Sequence, residues 1–225
     1  MMDNSTIKWG VVLRFAIAPL VLGLLLFAPA GSFDYWEAWV YCAVIFAPMF
    51  FVVLYFFKYD PGLLERRMRF REKEKEQKAI VKLANLVFLV GFIMPGLDRR
   101  YGWSDVPASF ALAGNAVVFM SYMFIFLVLR ENSYASRVID VEKNQKVIST
   151  GPYRIIRHPM YSGMILMFLA TPIALGSYWA CIFFLPLLPL MVLRILNEEK
   201  VLIRDLPGYG EYCEKTRFRL IPHIW

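Results

Sequence analysis

Apolar blocks alternate with short polar stretches along the whole chain, and the lengths of the blocks set its first reading. A hydrocarbon slab about 30 Å thick needs ~20 apolar residues per helix. On that measure the blocks at residues 11–30, 36–57, 80–97, 106–129, 160–175 and 178–196 predict six membrane-spanning helices. Only Gly176 and Ser177 separate the last two blocks, a junction that predicts a tight helical hairpin. Pro172, Pro186 and Pro189 predict kinks within that hairpin. Trp36 and Trp39 at one end of the second block, with Tyr55 and Tyr59 at the other, have the placement of an aromatic belt. The expected fold class is therefore all-α, a polytopic membrane bundle forming one integral domain over residues 1–225.

Charge gives this bundle a direction. Lys and Arg number eight in residues 58–78, six in residues 130–158 and five from Asn197 onward. Residues 31–35 and the Gly176-Ser177 junction carry none, and residues 98–105 carry only Arg99 and Arg100. Basic and non-basic connections thus alternate. With basic loops held on the cytoplasmic side, both termini are expected inside. The basic block after Pro61-Gly62 has helical spacing at Glu65–Arg69 and Glu72–Glu76. It reads as a solvated helix against the membrane, with recognition of anionic lipid head groups as the sharper alternative.

Composition narrows the class further. Hydrophobic residues make up 59% and charged residues 19%, well away from the roughly 45–50% and about 25% of soluble domains. The formal net charge of +7 does not imply nucleic acid, because the 16% aromatic content lies within apolar blocks. The basic start, apolar run and Ala28-Pro29-Ala30 resemble a signal peptide, but the run exceeds the ~7–15 residues of such signals, so retention as a span is expected. Cys42, Cys181 and Cys213 have no CxxC spacing and read as packing residues. His158 and His223 are the only histidines, and no ligand-spaced cluster accompanies them, so no metal is expected.

Chemistry concentrates in the last third. Residues 144–153 lead through a Gly151-Pro152 turn to Tyr153, then to Arg157-His158-Pro159-Met160-Tyr161 and the fifth block. Pro159 biases His158 towards an extended conformation just outside the helix that begins near Met160. That start would present His158 and free N–H groups to an anionic ligand group. Each residue alone reads as an interfacial anchor, but anchoring does not require the ordered combination. At the end of the sixth block, Arg194 and Glu198 stand i,i+4 on one helix face. A snorkelling arginine paired with Glu198 is the plain reading, and a functional cluster the other. Beyond them, an aromatic and basic tail containing Pro207-Gly208-Tyr209 and Tyr212 has the makings of a lid over the same face.

Gly151-Pro152-Tyr153, Arg157-His158-Pro159-Met160-Tyr161, Arg194 with Glu198-Glu199, and Pro207-Gly208-Tyr209 with Tyr212 together resemble the isoprenylcysteine carboxyl methyltransferase family. The membrane phospholipid N-methyltransferases are related to it. The resemblance is close over about residues 145–225 and only general before that. It implies S-adenosylmethionine as cofactor, with residues 1–129 as membrane helices and residues 130–225 as the cofactor-binding region. It further implies that Gln145, Lys146, Val147, Ile148, Tyr153, His158, Pro159, Met160 and Tyr161 line the cofactor pocket. Glu198 would bind the cofactor's amino acid moiety, and Arg194 would face the substrate. This chain has Gln145 where eukaryotic members carry His, and Val138 where they carry Gln.

The implied acceptor is lipophilic or lipidated and reaches the site from the membrane, with an isoprenylcysteine-type carboxylate the leading choice. A carboxylate is already an anion, so Arg194 need only orient it. A phospholipid amine or a thiol would need deprotonation, with His158 the nearest titratable candidate. Arg194 and His158 are thus the candidate catalytic residues. A membrane sterol or steroid reductase using NADPH is the rival class, since its tail has a similar Tyr-Gly-x-x-Tyr-Cys stretch. No Gly-rich loop after a strand points to a soluble Rossmann methyltransferase.

Overall fold

The computed structural model describes residues 4–68, 72 and 75–225. Four long helices come first among the spans: α1 (Asn4–Ala30), α2 (Trp36–Tyr59), α4 (Lys75–Tyr101) and α5 (Ala108–Glu131), with the short α3 (Pro61–Arg67) between α2 and α4. A single 3-10 turn at Gly151–Arg154 then precedes α6 (Pro159–Ala174), α7 (Trp179–Phe184), α8 (Leu187–Asp205) and α9 (Tyr209–Lys215). Among the described residues there is no strand, and the all-helical expectation holds. Residues 69–71, 73 and 74, where part of the basic helical spacing falls, lie outside the described residues.

Among the described residues, five helical stretches are long and apolar enough to cross a membrane, ending with the combined run Trp179–Asp205. The expected span at 160–175 is the exception, because α6 has only 16 residues. At 1.5 Å per residue it falls short of the ~20 residues that a full crossing requires. The six-span expectation is corrected accordingly to five full-length spans and one short helix. The chain still traverses the bundle there: α6 runs antiparallel to α5, with Gly163 against Ile125 at one end and Ala174 against Gly114 at the other.

Prolines act differently from one another in this hairpin. Pro186 separates α7 from α8, whereas Pro172 sits inside α6 and Pro189 within the first turn of α8 without ending either helix. The hairpin turn is made by Gly176 at φ +71°, a left-handed conformation suited to glycine. Ser177 closes it, donating its backbone N–H to Pro172 O at 3.0 Å and accepting from Ala180 N through Oγ at 3.0 Å. Its hydroxyl also bonds to the buried Asp98 of α4, which takes the Ser104 N–H and hydroxyl as well, each at 2.7 Å.

Glycine permits the closest helix approaches. A Cβ added at Gly114 would lie 2.7 Å from Ala174 N, a contact with backbone that no rotamer can relieve. Gly114→Ala is expected to destabilise the bundle by about 1–3 kcal/mol, read as a lower unfolding midpoint in detergent. Gly210→Ala, whose Cβ would meet nothing within 4 Å, is the matched control. Equal midpoints for the two variants would refute close α5–α6 packing.

The connections separate into two ends. Residues around Gly31, Arg100 and Gly176 meet at one, where Arg99 donates to Asp34 O and Glu37 lies against Gly176. The α3 segment, the stretch after α5 and the C-terminal tail meet at the other. There Arg66 binds Glu142 at 2.9 Å and Ser133 O at 3.0 Å. The basic loops and the chemistry-bearing residues all gather at this second end.

Candidate active site

The segment between α5 and α6 forms only the single 3-10 turn at Gly151–Arg154 and folds back over the end of the bundle. Asn132, immediately after α5, donates from its side chain to the Tyr153 hydroxyl at 3.0 Å. The Thr150 hydroxyl bonds to Glu131, and Tyr212 donates to Tyr153 O at 2.7 Å. Burial raises the Tyr153 phenol to about 12, so it stays protonated, although the bond from Asn132 favours its anion. These bonds pin the loop from both sides.

A cavity opens beneath this loop, with about 840 Å³ of empty space counting its open mouth. Gln145, Lys146, Val147, Ile148, Tyr153, His158, Met160, Tyr161, Glu198 and Arg194 all contribute to its wall. Residues separated by half the bundle in sequence are thus brought to one chamber. Pro159 is not part of the wall. It is the first residue of α6, where its fixed φ and missing N–H suit the helix start. Gln145 also turns its side-chain oxygen to accept the Glu142 N–H at 3.0 Å, holding the loop on itself.

Tyr161 is the hinge of the polar floor. Its hydroxyl donates to Glu198 Oε2 at 2.7 Å and accepts from Arg194 Nε at 2.9 Å. Arg194 and Glu198 therefore communicate through Tyr161, where a direct i,i+4 pair was one expectation. The guanidinium is further held by Glu72 Oε1 at 3.1 Å, Gln77 Oε1 at 3.0 Å and Arg137 O at 2.6 Å. Glu72 and Gln77 are buried and come from the segment that precedes and begins α4. No local spacing could have announced them.

His158 is the N-cap of α6 and is 5% exposed. Its Nε2 lies 3.2 Å from Glu199 Oε1, and the same carboxylate takes Arg157 Nη1 at 3.0 Å and Arg219 Nε at 2.8 Å. The His158 backbone N–H donates to Arg219 O and that of Arg157 to Phe218 O, each at 2.9 Å. The tail is thereby strapped across the start of α6, with the Ser162 hydroxyl donating to Leu220 O at 2.7 Å. Leu206, Tyr209 and Tyr212 complete the cavity wall, as the expected lid would.

A second group of guanidinia flanks the floor. Arg67 of α3 reaches Met160 Sδ at 3.6 Å. Burial lowers its pKa, with Arg137 and Arg194 adding like-charge repulsion. Arg137 is lowered by burial too, and by Arg14 and Arg194. Arg67 and Arg137 thus add positive charge beside Arg194. Among the described residues, no three His, Cys, Asp or Glu side chains gather as metal ligands.

The cavity wall thus combines the Glu198 carboxylate with the aromatic rings of Tyr153, Tyr209 and Tyr212. No curated protein sequence matches the chain. The family described as phospholipid methyltransferase matches residues 109–207, a stretch running from the start of α5 to just beyond α8 and holding every candidate site residue named from the sequence.

Proposed function

We propose that the chain is an integral-membrane, S-adenosylmethionine-dependent methyltransferase acting on a lipophilic acceptor that bears an anionic group, with an isoprenylcysteine-type carboxylate the leading choice. The observation that carries this reading is the convergence of Gln145–Ile148, Tyr153, His158, Met160, Tyr161, Arg194 and Glu198 on one cavity inside the matched stretch. When bound, S-adenosylmethionine supplies a methyl group activated on a sulfonium. Glu198 accepts the cofactor's ammonium, and the Tyr161 hydroxyl fixes the carboxylate that does so. Arg194 and the flanking Arg67 and Arg137 draw the acceptor's negative group to the floor of the cavity. The chain's share of the catalysis is thus alignment and exclusion of water, which an in-line displacement needs.

A carboxylate acceptor needs no base, whereas an amine or thiol must lose a proton. His158 lines the cavity, with its Nε2 held 3.2 Å from Glu199 Oε1, and is the nearest candidate base for that proton. The cavity is placed on the cytoplasmic side in this reading, because the basic loops surround it.

Methyl transfer from radiolabelled S-adenosylmethionine, measured in membranes with a prenylcysteine analogue and with lipid extract, tests the proposal. Label is expected in the prenylcysteine ester, and Glu198→Gln is expected to weaken cofactor binding by roughly tenfold or more. Label in phospholipid amine instead would replace the acceptor. Binding of NADPH without binding of S-adenosylmethionine would overturn the enzyme class.

A further inference from the structure

Between α1 and α2, towards the end of the bundle opposite the cavity, runs a groove that the protein leaves unfilled. It holds about 1250 Å³ of empty space counting its open side. Pro19, Gly23 and Phe27 stand on the α1 wall, and Trp39, Cys42 and Phe46 on the α2 wall. Each set recurs every three or four residues, so it forms one stripe along its helix. Gly23 hollows the first wall, since a Cβ built there would find only Phe27 Cδ2, at 3.9 Å. The two helices touch through Phe15 and Phe50 beneath the groove, with ring centroids 5.6 Å apart, and through Phe27 and Trp39 near its mouth, at 4.6 Å.

Length and charge say what fits there. From Pro19 to Gly31 the groove runs about 18 Å along α1, slightly more than half of a hydrocarbon core ~30 Å thick. That is the reach of an acyl chain from one leaflet. Arg100 stands at the mouth: its Cζ, Nε and Nη1 each lie 3.7 Å from the Cβ position of Gly31, which lines the groove. Among the described residues Arg100 makes no hydrogen bond and no ion pair, only a contact with the Tyr101 ring, whose centroid is 5.7 Å from the guanidinium carbon. Its neighbour Arg99 is committed, to Asp34 O at 3.2 Å and towards Glu37 at 4.0 Å. An uncommitted guanidinium above an apolar channel one leaflet deep matches the two parts of a phospholipid, since guanidinium groups pair well with phosphate oxygens.

We infer that the α1–α2 groove holds one acyl chain of a phospholipid whose phosphodiester is bound by Arg100. This lipid differs from those that merely surround the bundle. A convex helix face offers a chain one surface to lie against, whereas the groove offers two walls and an anchor. The site is separate from the cavity, and its occupation does not depend on the methyltransferase reading.

Native mass spectrometry of the purified full chain in mild detergent reads bound lipid directly. Delipidated protein is titrated with phosphatidylglycerol and, separately, with diacylglycerol of the same chains, which lacks the phosphate. One phosphatidylglycerol per chain is expected, with diacylglycerol held about tenfold more weakly, the scale of a lost charge-assisted hydrogen bond. Gly23→Leu places a side chain in open space and replaces a poor helix former by a good one. It is expected to keep the unfolding midpoint and to abolish the bound lipid. Arg100 is exposed, and Arg100→Gln is expected to bring phosphatidylglycerol down to the level of diacylglycerol. If Gly23→Leu or Arg100→Gln bound phosphatidylglycerol as the wild type does, or if the wild type held the two lipids equally, the site would be refuted. A particle of twice the chain mass that Gly23→Leu returned to single chains would give the groove to a second copy and refute it as well.

Discussion

Arg194→Ala and Arg194→Lys are both expected to lower the methyl transfer rate by roughly 100-fold, the scale on which small misplacements of reacting groups are felt. Lysine fails although it keeps the charge. The guanidinium of Arg194 satisfies four groups at once, on Tyr161, Glu72, Gln77 and Arg137. Those bonds leave in different directions from a rigid planar fork, which a single ammonium cannot span. Without them Tyr161 loses the donor that sets its hydroxyl, and Glu198 loses its orientation in turn. Single-turnover transfer with saturating cofactor is the measurement. An Arg194→Lys protein with a near wild-type rate would show that only charge matters there.

The second large effect is on stability. Glu199→Ala is expected to destabilise the fold by about 3–5 kcal/mol, the loss typical of removing one partner from a buried ion pair. Glu199 is 4% exposed and is the common acceptor for Arg157, His158 and Arg219. Its removal leaves two guanidinia facing each other where α6, α8 and the tail meet. Glu199→Gln keeps one acceptor and should fall between the two. Unfolding in detergent, followed by thermal aggregation or thiol exposure, reads the difference. A Glu199→Ala midpoint equal to that of the wild type would show that the two guanidinia and His158 are held by other means.

These two predictions also mark where sequence reasoning reached and where it stopped. The long spans follow from apolar length alone, so α1, α2, α4 and α5 were legible, as was the turn at Gly176-Ser177. The cavity residues were legible because Tyr153 to Tyr161 is one short stretch and Arg194 and Glu198 sit one turn apart. Glu72 and Gln77 were not. They lie more than a hundred residues from Arg194 and belong to a basic stretch whose composition reads as solvated surface. Glu199 stood in the sequence only as the neighbour of Glu198, and its three partners come from two other segments. α6 is as short as its apolar block at 160–175, so it was the alternation of basic and non-basic connections, and not length, that made the block a span.

The brevity of α6 has a consequence for the lipids beside it. Sixteen residues cover about 24 Å, several ångströms less than an ordinary hydrocarbon core. Acyl chains against this helix must shorten or tilt to match it, drawing the bilayer surface inward locally. The start of α6 also lines the cavity, at His158, Met160 and Tyr161. On the proposed function, a membrane-borne acceptor arriving there would have its polar end lowered towards the cavity by the dimple itself, with no need to be lifted out of the bilayer.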